Sequence, residues 1–197
     1  MNFLAHIYLS FDDAAVTLGN FFADHIRGNK FDHFPEKIQQ GIRLHREIDT
    51  FTDSHVLPKK SSKRLHKNYS HYSRVIVDIY YDHFLAKNWD DYSSVPLLKY
   101  TEAFYDLLKT NYHLLPLGTQ RMMPYMIADN WLYNYANLKG ISKVLHGMNK
   151  RTQNRSGMNF AIVDLEAHYE DFEQEFKLFF KELITFSQEK YSLLCGN

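Results

Sequence analysis

The chain has 197 residues, 45% apolar and 23% charged, with a formal net charge of zero. That is enough chain to bury a real core in one domain, and a neutral balance gives no global attraction to nucleic acid or a membrane. The single cysteine, Cys195, excludes a disulfide framework and any cysteine-built metal site, and suits a reducing cytoplasm.

Helical periodicity runs through almost the whole sequence. With 15 Phe and 14 Tyr, the core is expected to be packed largely from rings. The opening "MNFLAHIYLS" lacks a basic start and a sustained apolar run, so it reads as a helix over 2–9 rather than a signal peptide. No stretch approaches the ~20 apolar residues of a membrane span. A second helix is expected over 12–28, begun by Asp12 and Asp13 and closed by Gly28 and Asn29. Pro35 opens a third over 36–54. Further helices are expected over 69–87, 97–112, 117–134, 138–150 and 164–193, with Pro124 kinking the sixth. There is no alternating strand run with a tight-turn signal, no internal repeat and no dividing linker. The expected fold is all-α, a single-domain helical bundle over residues 1–197.

Several of these helices carry acids or imidazoles where apolar residues would be expected. In "RLHREIDTFTDSH", residues 43–55, Leu44, Ile48 and Phe51 form an apolar ridge, and His45, Asp49 and Asp53 stack along its flank at four-residue steps. In "VIVDIYYDHFLA", residues 75–86, only Asp78, Asp82 and His83 interrupt an otherwise apolar helix. A buried carboxylate needs a partner; an ion pair with Arg46 or Arg74 would serve, and a divalent cation would satisfy more of the acids at once. Asp24 ends the apolar "LGNFFADHIRG", and His6 interrupts "NFLAHIYL". Acids and imidazoles converging from separate helices suit Mn²⁺, Mg²⁺ or Fe better than zinc, since carboxylates outnumber imidazoles and no thiolate is present.

Two segments stand out by charge. Residues 59–74, "KKSSKRLHKNYSHYSR", hold six Lys or Arg and no acid, whereas 164–175, "DLEAHYEDFEQE", is acidic. Each would ordinarily be a solvated face. No GxSxG elbow, phosphate-binding glycine loop or HExxH occurs.

Five segments in order, "MNFLAHIYLS", "LGNFFADHIRG", "GIRLHREIDTFTDSH", "DIYYDHFLAKNW" and "MIADNWLYNYANLKGISKVLHGMNKR", resemble the acyl carrier protein phosphodiesterases over residues 1–151. The resemblance implies a helical variant of the HD metal-dependent phosphohydrolases. It implies hydrolysis of holo-acyl carrier protein to release 4′-phosphopantetheine, with water activated by a divalent metal, typically manganese. Ordinary HD proteins carry His then Asp, whereas here the order is Asp82-His83, so ligands do not transfer one by one. In the Asp24-His25 doublet, the family pattern keeps the aspartate and usually has an apolar residue next.

On residues and resemblance together, the expected metal ligands are Asp24, His45, Asp82 and His83. Asp49 and Asp78 are further ligands or outer partners. His6 is a ligand or the acid that protonates the serine leaving group, and Arg46 is the phosphate grip. Lys59, Lys60, Lys63, Arg64, Lys67 and Arg74 form a basic collar for an acidic carrier. Two other functions fit the same residues: a phosphohydrolase of nucleotides or other small phosphate esters, and a non-enzymatic binder whose inward acids are neutralised by arginines.

Overall fold

Residues 1–196 are described by the structure, a computed structural model. Helices follow one another along the described chain, and none of the described residues forms a strand. They are α1 (Phe3–Tyr8), α2 (Ala14–Phe22), α3 (Glu36–Ser54), α4 (Val56–Tyr69), α5 (Ser73–Lys87), α6 (Leu97–Thr110), α7 (Leu117–Ala128), α8 (Trp131–Asn134), α9 (Leu138–Arg151), α10 (Ala161–Ala167) and α11 (Tyr169–Cys195). The all-α expectation holds. Among the described residues no helix is long and apolar enough to cross a membrane.

Four boundaries differ from the expected ones, each for a local reason. The second helix stops at Phe22, and a 3-10 turn over Ala23–His25 carries Asp24 off the helix axis. The expected 117–134 helix breaks at Asn130, whose φ of 42° is left-handed, a conformation asparagine tolerates; Pro124 lies inside α7. The final helix is two, parted at His168. The basic run is itself helical: α4 buries Pro58, Ser61, Leu65 and Tyr69, a stripe at helical spacing hidden among lysines and serines.

Helices α2 and α3 pack closely through two glycines. A Cβ at Gly19 would lie 2.0 Å from the Ile38 carbonyl oxygen, and one at Gly41 would lie 2.2 Å from that of Val16. Only glycine permits so close a crossing, and the crossing sets Asn20 and Asp24 against His45. The long α11 closes the other side, burying Phe172, Phe176, Phe179, Phe180 and Leu183. Phe176 and Phe180 stack at 5.0 Å, and Tyr81 of α5 meets both Phe176 and Phe179 at 5.6 Å, the ring-packed core expected from composition.

Asp82 corrects an expectation here. Fully buried, its carboxylate accepts the backbone N–H groups of Asn2, Leu4 and Ala5 at 3.3, 2.7 and 3.3 Å. Burial raises its carboxyl to about 7 against the pull of those donors. The buried acid does find compensation, but from the unsatisfied N–H groups that start α1. Asp82 therefore seats α1, and with it His6.

Candidate metal centre

His6 and His45 come from helices far apart in sequence, and their rings stack with centroids 4.0 Å apart and planes at 21°. One residue orients both. His6 Nδ1 lies 2.8 Å from the Asn20 side-chain oxygen, and His45 Nδ1 lies 2.8 Å from the Asn20 carbonyl oxygen. The Asn20 amide has one consistent orientation, because its NH₂ donates to the His6 carbonyl at 2.8 Å and to Ser10 Oγ at 3.0 Å. Both imidazoles thus face acceptors through Nδ1, so the neutral rings carry their proton there and present Nε2 as a lone pair.

Those two lone pairs converge on carboxylates. His45 Nε2 is 3.0 Å from Asp49 Oδ2 and 3.2 Å from Asp24 Oδ1. His6 Nε2 is 3.3 Å from Asp49 Oδ1 without the alignment of a hydrogen bond. Donor atoms of His6, His45 and Asp49 all lie within 4.8 Å of one another, a spacing a single metal ion can bridge. Acceptor facing acceptor is unfavourable unless a proton or cation intervenes. Without a metal, a proton fills that role: burial disfavours the charged His45 ring, yet the hydrogen bonds to Asp24 and Asp49 raise it to about 9. His6 moves the other way, lowered by burial and by the neighbouring His45. Burial opposes ionisation of Asp49, but the two histidines hold its carboxyl far below the usual range. Asp24 is lowered mainly by its hydrogen bond to His45.

Asp78 lies beside the centre rather than in it. Its Oδ1 is 3.2 Å from the Met1 α-amino nitrogen, which is also 3.8 Å from Asp49. Burial raises the Asp78 carboxyl, and the amino group opposes that shift. Asp24, Asp49 and Asp78 together line one wall of a cavity of about 750 Å³.

The other expected site residues are placed elsewhere. His83 turns away: its Nδ1 is 2.7 Å from the Tyr135 carbonyl oxygen and its Nε2 is 2.7 Å from the Tyr169 hydroxyl, a satisfied core histidine. Arg46 donates to the Gly28 carbonyl and the Asn29 side chain and lies over the Phe31 ring, so it pins the loop before α3 and does not line the cavity. Arg74 lies 3.6 Å from the exposed Asp53. Among the described residues no lysine or arginine pairs with Asp24 or Asp49.

The basic run divides between two faces of α4. Arg64 grips Glu175 with two donors at 2.8 and 3.0 Å, Lys60 reaches it at 3.0 Å, and Ser61 donates to it as well. The acidic stretch is thus partly an inner partner of α4, not only a solvated face. Lys59, Lys63 and Lys67 point outward and, with Arg74, line a second cavity of about 750 Å³. Thr52, Asp53, Arg74 and Asp78 line both cavities, so the basic face opens beside the cavity that Asp24 and Asp49 line.

Asn20, which orients both imidazoles, is not among the residues that the sequence singles out. Its signal is a lone amide in "LGNFF", four residues before Asp24.

Comparison with known proteins agrees with the five-segment resemblance and extends it. The family profile described as acyl carrier protein phosphodiesterase matches residues 1–183, well past residue 151. A Photorhabdus laumondii protein named acyl carrier protein phosphodiesterase is 31% identical over 194 residues, covering 96% of each chain. Proteins of the same name from Yersinia enterocolitica and Escherichia coli are 32% and 30% identical over 194 residues, covering 96% of this chain and 99% of theirs. No solved structure matches.

Proposed function

The chain belongs to the acyl carrier protein phosphodiesterase family, and on that premise we propose that it hydrolyses the phosphodiester of holo-acyl carrier protein at a divalent-cation centre held by His6, His45, Asp49 and Asp24. The products are 4′-phosphopantetheine and the apo-carrier. The observation that carries the site is the convergence of two imidazole lone pairs and two carboxylates, fixed by Asn20 and left without any lysine or arginine.

These residues fit a metal. Buried His6 Nε2 has no hydrogen-bond partner, and each ring is turned by an outer partner on its other nitrogen, the arrangement usual for ligating histidines. Two nitrogens and two oxygens suit manganese, iron or zinc by donor type; among these the family resemblance implies Mn²⁺. When bound, such an ion supplies Lewis-acid polarisation of the phosphoryl oxygens and a more acidic water.

The chain's own residues supply the rest. Asn20 holds both rings in one tautomer, so no reorientation is needed during turnover. Asp24, on its exposed 3-10 turn, completes the donor set from the cavity side. Asp78 lines the same cavity, 3.2 Å from the Met1 amino group that also faces Asp49, and serves as an outer partner of the ligating carboxylate. The outward cations Lys59, Lys63, Lys67 and Arg74 receive the acidic carrier. Kinship with the HD phosphohydrolases belongs to the same proposal, supported by His and Asp donors on separate helices of an all-α scaffold. A reducing cytoplasm is the compartment that suits this reading, given one unpaired cysteine.

The test is direct. Pure protein incubated with holo-carrier and Mn²⁺ should release the phosphopantetheine mass, with a chelator stopping the reaction and Mn²⁺ restoring it. Intact holo-carrier beside a stoichiometrically loaded protein overturns the substrate; failure to take up any divalent metal overturns the centre.

A further inference from the structure

Part of the cavity lining comes from one helix, α9. Gly140, Lys143, Val144, Gly147, Met148 and Arg151 of α9 all line the cavity, and their spacing places them on one helical face. Met122 and Trp131 extend its apolar part. The cavity lining therefore combines carboxylates (Asp24, Asp49, Asp53, Asp78 and Asp129), apolar side chains and the cations Lys143 and Arg151. Lys143 and Arg151 are exposed, and among the described residues neither has a carboxylate within ion-pair distance. They differ in this from Arg64, Lys87 and Lys60, which are paired.

Gly147 is the informative residue. A glycine inside a helix costs about 1 kcal/mol relative to alanine, and glycines that bear that cost usually allow a close approach. Gly140 does so, since a Cβ there would lie 1.9 Å from the Asn134 carbonyl oxygen. A Cβ at Gly147 would meet nothing within 4 Å. Packing therefore does not require glycine at 147. What its missing side chain does is keep the cavity wall low, midway between Lys143 and Arg151.

We propose that this face of α9 seats the prosthetic arm: Lys143 and Arg151 hold the phosphate, and Val144, Gly147 and Met148, with Met122 and Trp131, accommodate the pantetheine chain. The assignment rests on the hydrolase reading and adds the arm's binding residues to it. The chemistry matches end for end. The arm joins an anionic phosphodiester to a gem-dimethyl group, two amides and a thiol, a flexible and largely uncharged chain. A cavity of about 750 Å³ lies within the roughly 300–1,000 Å³ typical of small-molecule sites. Thioether and indole walls adapt to such a chain. Asp24 and Asp49 line the same cavity as Lys143 and Arg151, so in this assignment the single phosphodiester lies between the ligating residues and the α9 cations, with its arm along α9.

Calorimetric titration of the Mn²⁺-loaded protein with free 4′-phosphopantetheine, together with steady-state kinetics on holo-carrier, tests this. Gly147→Leu fills the cavity while improving helix propensity, so its thermal midpoint should equal or exceed that of the unsubstituted protein. It should weaken phosphopantetheine binding at least tenfold and raise KM for holo-carrier at least tenfold. A Lys143→Gln/Arg151→Gln double variant, changed only at exposed positions, should lose the preference for phosphopantetheine over pantetheine. If the unsubstituted protein cleaves holo-carrier and Gly147→Leu matches it in KM, kcat and phosphopantetheine affinity, the arm site is wrong and the hydrolase reading stands. If phosphopantetheine binds with the expected dependence on Gly147 and holo-carrier is never cleaved, the hydrolase reading is wrong and the site stands.

Discussion

Two clusters in this molecule bury ionisable groups between helices, and they are completed differently. Around Glu175, which is 4% exposed, charges and hydrogen bonds close on themselves. Arg64 and Lys60 neutralise the carboxylate, Ser61 donates to it and also meets the Tyr81 hydroxyl at 2.8 Å, and the Arg64 guanidinium lies over Phe172. Around Asp49, two imidazoles and the Met1 amino group meet two carboxylates, with no arginine or lysine among them. The first is a bolt between α4 and α11. The second is a set of donor atoms at a spacing that one metal ion can bridge. Burial of charge alone does not separate structure from function; the separation lies in whether the partners are complementary.

The sharpest way to break this comparison is to remove one member of the open cluster. His45→Ala should reduce holo-carrier hydrolysis by more than about 100-fold, beyond the roughly 10–100-fold expected of an outer partner, and should abolish stoichiometric metal uptake. The helical circular dichroism should remain, since α3 is fixed by its crossing with α2 rather than by the ring. A metal-loaded, active His45→Ala protein removes the centre from this place.

The closed cluster should respond in the opposite sense. Arg64→Ala leaves Glu175 buried with only the exposed Lys60 for charge, and breaking a buried pair costs about 3 kcal/mol or more. At about 2–4 °C per kcal/mol for a chain of this size, the thermal midpoint should fall by about 6 °C or more. Below that midpoint, kcat should be unchanged. A fall in kcat with no fall in midpoint would give Arg64 a role in the reaction and dissolve the contrast.

The clusters also predict opposite pH responses. Glu175 is pushed up by burial, but Arg64, Ser61 and Lys60 pull it below its ordinary value. Its contribution is therefore complete above about pH 4.3 and lost as pH falls through the lower folded value. His45 in metal-free protein is raised to about 9. Its contribution is complete below about pH 6.5 and lost as pH rises through about 9. Denaturation of metal-free protein across that range should show falling stability. Loading with Mn²⁺ should flatten the His45 part of the slope, because Nε2 then carries no proton. Identical slopes with and without metal would show that the ion does not sit on Nε2.

Legibility in the sequence followed the kind of partner each residue uses. The third helix reads directly from "RLHREIDTFTDSH", because His45 and Asp49 meet at the four-residue spacing that every helix imposes. His6 and Asp24 are legible as polar interruptions of apolar helices. Asp82 and His83 in an apolar helix require compensation, and it comes from backbone N–H and C=O groups and a tyrosine hydroxyl. Backbone donors carry no residue signature, so no motif could announce them. Helix α4 was hidden because its inner stripe includes Pro58 and Ser61, which hydrophobic periodicity does not count.

The smallest expected effect lies within α4 itself, where the comparison repeats at single-residue scale. Arg64 and Lys60 are tied to Glu175, whereas Lys63 and Lys67 are exposed, line the second cavity and have no ion-pair partner among the described residues. Outward charges act through long-range attraction, which fades beyond a Debye length of about 8 Å at physiological salt. Lys63→Glu/Lys67→Glu should therefore raise KM for holo-carrier a few-fold at low ionic strength, with kcat and thermal midpoint unchanged. The difference should vanish as salt is added, because steering governs encounter rather than chemistry. A salt-independent KM equal to that of the unsubstituted protein would move the carrier's docking surface away from α4. The inner pair would then be the only function of a run whose composition suggested six free cations.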